Sequence, residues 1–233
     1  MAKNKVVSHQ AWTQARVAFL KKEKALSKLR DALAAERRAL PWEKVEQDYV
    51  FESASGKKKL GELFDGRSQL IVYHFMFDPK WEEGCKICSF WADNFERNVV
   101  HLKARDVTLV AVSRAPLARL SAYRKRMGWT FPWYSSFGND FNFDYQASST
   151  PESVATGRTT YNYEPSDLVG ENPGVSVFAK DARGVFHTYS SYSRGLDMLN
   201  AGYHYLDLTP KGRHEKSLKW PMEWVHRHDS YPG

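Results

Sequence analysis

The chain contains only two cysteines, Cys85 and Cys88, and they form a single C-x-x-C motif. A structural zinc site usually needs four nitrogen or sulfur ligands, and no second C-x-x-C or histidine pair stands at zinc-finger spacing. A disulfide framework also needs more than one cysteine pair. We therefore predict a thiol site without metal or other cofactor. The alternative is copper or zinc held by the two cysteines with His74 or His187.

The motif lies between an apolar run and a helical pattern. Residues 69–77 (QLIVYHFMF) are apolar without alternation, which is typical of a parallel strand buried on both faces. Residues 89–103 have helical spacing, and residues 107–112 (VTLVAV) predict a second buried strand. Strand, helix and strand of these lengths predict a right-handed βαβ unit. The cysteines then come at the start of a helix, where backbone N–H groups and the helix dipole favour a thiolate.

Their spacing gives the two cysteines different roles. Cys88 comes three residues after Cys85, on the same helical face and one turn deeper. Its sulfur can therefore attack a mixed disulfide formed at Cys85, which makes Cys85 the attacking thiol and Cys88 the resolving thiol. Lys86 would stabilise a Cys85 thiolate, whereas the acids upstream would oppose it. We predict a modestly lowered pKa for Cys85, caused by the helix terminus and Lys86 together.

Residues 8–40 predict one long helix, with Ser8 as its N-cap and Pro41 as its stop. A narrow apolar seam repeats along it every seven residues: Trp12, Phe19, Leu26, Leu33 and Leu40. This pattern resembles a coiled-coil seam more than a broad globular face. The helix is expected either to pack along its own domain or to form a homodimer with another chain.

We expect three segments: a helical extension at 1–47, an α/β domain at 48–210 and an irregular tail at 211–233. Within the domain, residues 134–172 form a polar, aromatic-rich insertion, which is unusually long for a loop. The remaining predicted elements are a strand at 48–52, a turn at 53–59, a helix at 117–127, a hairpin at 175–180 and 185–189, and a helix at 194–200.

The order of strand, C-x-x-C, helix, strand, helix, proline and hairpin resembles the thioredoxin fold. Residues 173–178 (PGVSVF) are similar to the thioredoxin pattern of a cis-proline followed by an apolar strand. The resemblance implies an α/β fold with a thioredoxin-like central mixed sheet flanked by helices. It also implies that Pro173 is cis, faces the cysteines and shapes the substrate groove.

Longer segments resemble one bacterial thioredoxin-like family, labelled predicted dithiol-disulfide oxidoreductase: FMFDPKWEEGCKICSFWADNF, SSFGNDFNFDY and WTQARVAFLKKEKALSKLRDALAAERRALPW. This resemblance implies a thiol-disulfide oxidoreductase whose partners are protein or small-molecule thiols and disulfides.

VAVSRAP and FPWYSS are also similar to peroxiredoxins, so a thiol peroxidase is the first alternative. However, Glu82 stands where the peroxiredoxin motif P-x-x-x-T-x-x-C has threonine. A non-catalytic binding module is the second alternative.

Further candidate residues lie near the motif. His74 occupies the place where thioredoxins have a buried acid that handles the proton of the resolving thiol, and histidine can do the same. A hydrogen-bonded core histidine is the simpler interpretation. Trp81, Lys86, Phe90 and Trp91 are expected to bind substrate beside the cysteines, and the aromatic residues of the insertion either cover the site or fill a core.

The net charge of +7 is concentrated near the N-terminus, because residues 1–50 carry eleven lysines and arginines against six acids. A basic helix is most often a solvated surface, and no nucleic-acid-binding module is recognisable, so we expect no nucleic-acid partner. No apolar run approaches the roughly 18 residues of a membrane span. The first residues also lack an apolar segment followed by a cleavage site. We therefore expect a cytoplasmic protein with no membrane partner.

Overall fold

The computed structural model describes residues 4–232. Residues 1–3 of the expected extension and Gly233 of the expected tail lie outside the described residues. The chain divides into two compact units, Met1–Pro41 and Trp42–Gly233. Within the described part of the chain, no helix is both long enough and apolar enough to cross a bilayer.

The first unit consists of one helix, α1 (His9–Arg38). Ser8 caps it, because its Oγ accepts a hydrogen bond from the Ala11 N–H at 3.3 Å. The predicted long helix is therefore confirmed. Each of the five seam residues is 46–56% exposed. Pairing of the seam with another chain stays a prediction.

The second unit combines short strands and helices. Its strands are β1 (Glu43–Lys44), β2 (Val50–Ser53), β3 (Gly56–Lys59), β4 (Gln69–His74), β5 (Val107–Ser113), β6 (Trp133–Ser135), β7 (Ser148–Ser149), β8 (Thr160–Tyr161), β9 (Glu164–Pro165), β10 (Gly170–Glu171), β11 (Gly174–Asp181) and β12 (Gly184–Tyr192). Its α-helices are α2 (Lys86–Ala92), α3 (Val99–Lys103), α4 (Leu117–Arg126), α5 (Phe141–Asp144), α6 (Pro151–Ala155) and α7 (Ala201–Asp207). Short 3-10 helices lie at Leu60–Glu62 and Ser193–Leu199.

One eight-stranded mixed sheet organises this unit, in the order β1-β12-β11-β4-β5-β6-β2-β3. β4 is parallel to β5, which is parallel to β6. On its other side β4 pairs with β11 in antiparallel register, and β11 continues into the hairpin with β12. The expected fold class, a thioredoxin-like mixed sheet flanked by helices, is confirmed. β4, which leads to the cysteines, lies in the interior of the sheet.

The sheet separates two apolar cores because side chains alternate along each strand. Tyr73 and Phe75 belong to the core that contains Cys88. Val72 belongs to the other core, together with Phe178 from β11. The faces of β4 therefore serve different parts of the molecule, and only one of them is directed towards the cysteines.

The predicted helix at 89–103 is interrupted: α2 ends at Ala92 and α3 begins at Val99. Asn94 accounts for the break. Its side-chain amide donates to the carbonyls of Phe90 and Trp91, which are the acceptors that a continuing helix would use. The structure thus has two short helices where the spacing predicted one.

Three other segments differ from the sequence expectation. The predicted turn at 53–59 contains the strand β3, whose lysines suit its position at the edge of the sheet. The first residues of the expected insertion at 134–172 belong to β6 and hence to the central sheet. The expected tail has no regular helix or strand among its described residues, yet it fully buries Val225.

His74 lies on the face of β4 that is directed away from the cysteines, which corrects its expected role at the resolving thiol. Its buried ring stacks on Phe141, with 5.5 Å between ring centroids, and its Nε2 lies 2.8 Å from Ser176 Oγ. The physical reason is the two-residue period of the strand: Tyr73 faces Cys88, so the next side chain faces the opposite core. His74 is a hydrogen-bonded core residue.

Burial of His74 makes the fold sensitive to acid. Burial, assisted by His187, lowers the pKa of His74 from its usual 6.5 to about 3. Between these values the unfolded chain binds a proton that the folded protein does not, so stability is lost as the pH falls. Between about pH 6 and pH 3, we expect His74 to lower the free energy of unfolding by about 1.4 kcal/mol for each pH unit by which the pH falls.

Urea unfolding at several pH values measures this contribution as the difference between the natural protein and His74→Gln. In His74→Gln, the free energy of unfolding should fall less steeply with decreasing pH than in the natural protein. His101→Gln, which changes an exposed histidine, should show the same pH dependence as the natural protein. Equal slopes for the natural protein and His74→Gln would contradict the expectation.

Candidate active site

Two hydrogen bonds hold the cysteines against the end of β4. The Cys85 N–H donates to the Met76 carbonyl at 3.1 Å, and the Met76 N–H donates to Cys88 Sγ at 3.4 Å. Cys85 is the N-cap of α2, and Cys88 lies in its first turn. The chain therefore returns to the strand end even though several residues separate β4 from the motif.

The return requires a glycine at position 84. A Cβ atom on Gly84 would lie 2.8 Å from the Phe75 ring and 2.9 Å from the Tyr123 ring, which is closer than side-chain carbons pack. Gly84 thus lets the backbone pass between two aromatic rings immediately before Cys85. Any larger residue would push the loop, and with it Cys85, away from the strand.

The two thiols are free and differ in acidity. Cys85 is partly exposed and Cys88 is buried. A hydrogen bond from the Cys88 thiol lowers the pKa of Cys85 to about 7 against the opposing effect of burial, helped by the N–H groups of Cys88 and Ile87 and the charge of Arg227. Burial raises the pKa of Cys88 well above its ordinary value, and the neighbouring Cys85 adds to this. Cys85 is therefore the thiolate of the pair.

Arg227 reaches the site from the C-terminal tail. Its Nη2 donates to the Gly84 carbonyl and its Nε donates to Tyr123 Oη, each at 2.8 Å. Nη2 also lies 2.9 Å from a carboxylate oxygen of Glu83. These contacts fix a positive charge beside the residue that precedes Cys85.

Lys86 does not supply the charge that the sequence analysis assigned to it. Its Nζ donates to the Glu223 carbonyl at 3.0 Å and lies 5.3 Å from the centre of the Trp220 ring. Lys86 is therefore engaged with the tail. The pKa of Cys85 is lowered, as the sequence predicted, but the causes are the Cys88 thiol, two backbone N–H groups and Arg227.

A cavity of about 270 Å³ lies beside Cys88. Its walls come from β4, α2, the insertion, the proline before β11, the 3-10 helix Ser193–Leu199 and the tail. Residues that line it include Tyr73, Ile87, Trp91, Tyr161, Pro173 and Met222. The cavity reaches the buried thiol of Cys88, whereas Cys85 is not among the residues that line it.

Pro173 lines the same cavity as Cys88, but it is not cis. The described residues contain no cis peptide bond, so the expected cis geometry is wrong. Residues of the insertion form hydrogen bonds with the peptide groups on either side of the Asn172–Pro173 bond. The Asn172 N–H donates to the Ala147 carbonyl at 2.9 Å, and Tyr161 Oη donates to the Pro173 carbonyl at 2.8 Å.

Among the other residues expected to bind substrate, Trp91 lines the cavity, whereas Trp81 and Phe90 do not. Trp91 is buried and its Nε1 donates to the Leu196 carbonyl at 2.8 Å. The Phe90 ring packs edge-to-face against Tyr203 and Trp224, so it fills the core under the tail. Trp81 is 39% exposed.

Tyr73 is a functional candidate that the sequence analysis missed. Its hydroxyl group is hydrogen-bonded to Cys88, and burial, followed by the nearby Cys88, raises the pKa of Tyr73 well above its usual value. The phenol therefore stays protonated and can donate to a Cys88 thiolate. Strand alternation next to the motif could have identified Tyr73, whereas no local pattern marks the distant Arg227.

The metal-binding alternative is not assembled in this structure. Within residues 4–232, no group of three or more histidine, cysteine or acidic side chains could hold a metal ion. His74 lies on the opposite face of the sheet from the cysteines. His187 has its Nε2 2.7 Å from Ser190 Oγ and shares that face with His74.

Several solved structures are similar to this chain. A PrxQ mutant from Xylella fastidiosa is 14% identical, with 69% of this chain and 92% of that chain covered at a TM-score of 0.46. Peroxiredoxin Q from Xanthomonas campestris is 11% identical, with 70% and 93% covered at a TM-score of 0.47. Peroxidoxin BcpB from Mycobacterium tuberculosis is 13% identical, with 70% and 94% covered at a TM-score of 0.42.

A search of curated proteins found no match. One family, described as "Bacterial protein of unknown function (DUF899)", matches residues 1–231 of the sequence, and this chain belongs to it.

Proposed function

We propose that this protein is a thiol-disulfide oxidoreductase in which Cys85 attacks a disulfide and Cys88 resolves the product. One observation carries the proposal: a partly exposed thiol with a pKa of about 7 is hydrogen-bonded to a buried thiol whose pKa is raised. The first thiol therefore ionises more readily than an ordinary cysteine, and the second keeps its proton until it is needed. Such a division is what thiol-disulfide exchange requires.

In the first step, the Cys85 thiolate attacks one sulfur of the substrate disulfide. The new bond joins Cys85 to that sulfur, the substrate S–S bond breaks, and the other substrate sulfur leaves as a thiolate that takes a proton from water. Arg227 and the N–H groups of Ile87 and Cys88 stabilise the attacking thiolate. Pro173 and Trp91 line the cavity that would hold the substrate.

The mixed disulfide itself prepares the second step. The negative charge of Cys85 raises the pKa of Cys88, and this charge disappears once the Cys85 sulfur is bonded to substrate. Cys88 can then lose its proton while Tyr73 and the Met76 N–H donate hydrogen bonds to its sulfur. It attacks Cys85, which forms the Cys85–Cys88 disulfide and releases the remaining substrate thiolate. The substrate gains two electrons and two protons, and an external dithiol reduces the protein again.

Alkylation of the reduced protein by iodoacetamide should follow the titration of Cys85. The rate is expected to rise with pH with a midpoint of about 7, because only the thiolate reacts. Arg227→Met removes a nearby positive charge and should raise the midpoint by up to about one pH unit. Arg158→Met is the matched control, since Arg158 is exposed and pairs with the exposed Glu152.

Cys85→Ser should leave only the slowly reacting Cys88, whose pKa is raised. A midpoint at the ordinary cysteine value of about 8.5 in the natural protein would contradict the assignment. An unchanged midpoint in Arg227→Met would show that Arg227 does not stabilise the Cys85 thiolate.

Reduction of insulin disulfides, with dithiothreitol as electron donor, tests the activity. Cys85→Ser should fall to the uncatalysed rate because the attacking sulfur is gone. Cys88→Ser should also lose turnover, but it should accumulate a mixed disulfide at Cys85 that mass spectrometry detects. The cysteine pair should have a reduction potential between about −270 and −120 mV.

Retained turnover in Cys85→Ser would sink the proposal, as would a potential below about −300 mV, which is typical of a structural bridge. Rapid consumption of hydrogen peroxide without insulin reduction would indicate a thiol peroxidase instead.

A further inference from the structure

A second cavity, of about 350 Å³, lies on the other side of Tyr73. The Tyr73 side chain lines both cavities, whereas Cys88 lines only the first. The walls of the second cavity come from β4, β5, β11, the chain around α3, and the 3-10 helix that leads into α7. They are mainly apolar and include Ile71, Phe95, Leu102, Leu109, Val175 and Leu199.

Burial increases from the mouth of this cavity to its inner end. Met198 at the mouth is 57% exposed, whereas Phe95 and Leu109 are almost fully buried. Tyr73 is also buried and belongs to the inner end. A ligand that enters here meets apolar side chains at the inner end, so its inner part must be apolar.

Two imidazoles lie at the rim of this cavity, those of His101 on α3 and His204 on α7. Neither imidazole forms a hydrogen bond with any residue in the range 4–232. Asp207 interacts electrostatically with His204, but its two oxygens accept hydrogen bonds from Arg213 at 3.0 and 2.9 Å.

The two asparagines of the rim donate hydrogen bonds within the protein. Asn94 donates to two carbonyls of α2 and accepts from the Ala201 N–H, and Asn98 donates to the Asn94 carbonyl. No aspartate or glutamate of the described chain lines the cavity. Imidazoles donate hydrogen bonds and can carry positive charge. The rim therefore suits an anionic or acceptor-bearing head group.

The same features argue against larger ligands. A peptide would bring backbone N–H and C=O groups against apolar walls that offer them no partner, which costs free energy for each buried group. A second protein chain needs an interface of roughly 1,200 Å² or more, whereas this feature is a concave site at the small end of ligand pockets. A single aliphatic chain avoids both problems.

We propose that this cavity binds the aliphatic chain of a small carboxylate. The carboxylate lies at the rim, where His101 and His204 donate hydrogen bonds to it. The chain extends inward between Leu102 and Leu109 and ends against Tyr73. This site is separate from the thiol chemistry, because it requires neither Cys85 nor Cys88.

Calorimetric titration of the reduced full-length protein with octanoate tests the proposal. Octanoate should bind in a one-to-one complex, and shorter acids should bind about fourfold more weakly for each methylene removed, as expected for an apolar chain that leaves water. Octyltrimethylammonium, which has the same chain and a cationic head, should bind at least tenfold more weakly than octanoate.

Ala201→Phe places a ring in the cavity and should weaken octanoate binding at least tenfold. Ala155→Phe, an exposed alanine on the unrelated helix α6, is the matched control and should bind as the natural protein does. If Ala201→Phe does not fold, Met198→Trp blocks the mouth instead. A His101→Leu, His204→Leu double variant, which removes both hydrogen-bond donors, should bring octanoate down to the affinity of octanol.

The inference is overturned if octanoate shows no saturable binding, if the cationic analogue binds equally well, or if filling the cavity leaves the affinity unchanged. Because the readout is binding, these outcomes are independent of insulin reduction. The proposed thiol-disulfide activity therefore stands or fails separately from this site.

Discussion

The chemistry of the molecule depends on the pair of hydrogen bonds between Met76 and the two cysteines. They hold the start of α2 against the end of an interior strand, so Cys88 is buried in the apolar core while Cys85 stays near the surface. Unequal burial makes the two thiols unequal in acidity. The hydrogen bond between them increases the difference, since it favours the thiolate of Cys85 and the protonated form of Cys88. The order of the proposed reaction follows from this placement.

The irregular C-terminal tail completes the site. Arg227 brings a guanidinium to the Gly84 carbonyl, and Met222 contributes to the wall of the cavity beside Cys88. Lys86 is held by the tail through the Glu223 carbonyl. The tail packs in place through these contacts and through its buried Val225, without a helix or strand of its own. A segment without secondary structure thus contributes to the electrostatics of the thiol, although less than the backbone N–H groups of α2 do.

The sequence predicts the parts of this fold that depend on local pattern. The interior strands β4 and β5, the hairpin β11–β12 and the helix α1 are evident from apolar runs, turn residues and caps. The side chains that act at a distance are harder to predict. Arg227 is far from Cys85 along the chain, and the amide of Asn94 ends α2 by competing for carbonyls that the helical spacing leaves open. Such contacts depend on tertiary geometry that a local pattern does not contain.

The alternation of side chains along β4 is enough to predict which of His74 and Tyr73 faces the cysteines. A strand buried on both faces still directs neighbouring side chains to opposite sides, so only one of the two can face the cysteines. Histidine is the more common proton carrier, and for this reason the sequence analysis assigns the role at the resolving thiol to His74 instead of Tyr73. Phe75 shares a face with Tyr73, and Cys88 packs in the same core. Geometry along the strand therefore decides which residue attends the resolving thiol.

Tyr73 contributes to both cavities. Its hydroxyl group is hydrogen-bonded to Cys88, while the same side chain forms part of the inner wall of the apolar cavity. A ligand in that cavity would influence the thiols only as far as its affinity differs between their reduced and oxidised forms. By reciprocity, oxidation of the pair would change the affinity for the ligand by the same factor. Tyr73 can carry such an effect, because it lines both cavities and is hydrogen-bonded to the buried thiol. The 3-10 helix Ser193–Leu199 also contributes to both cavities.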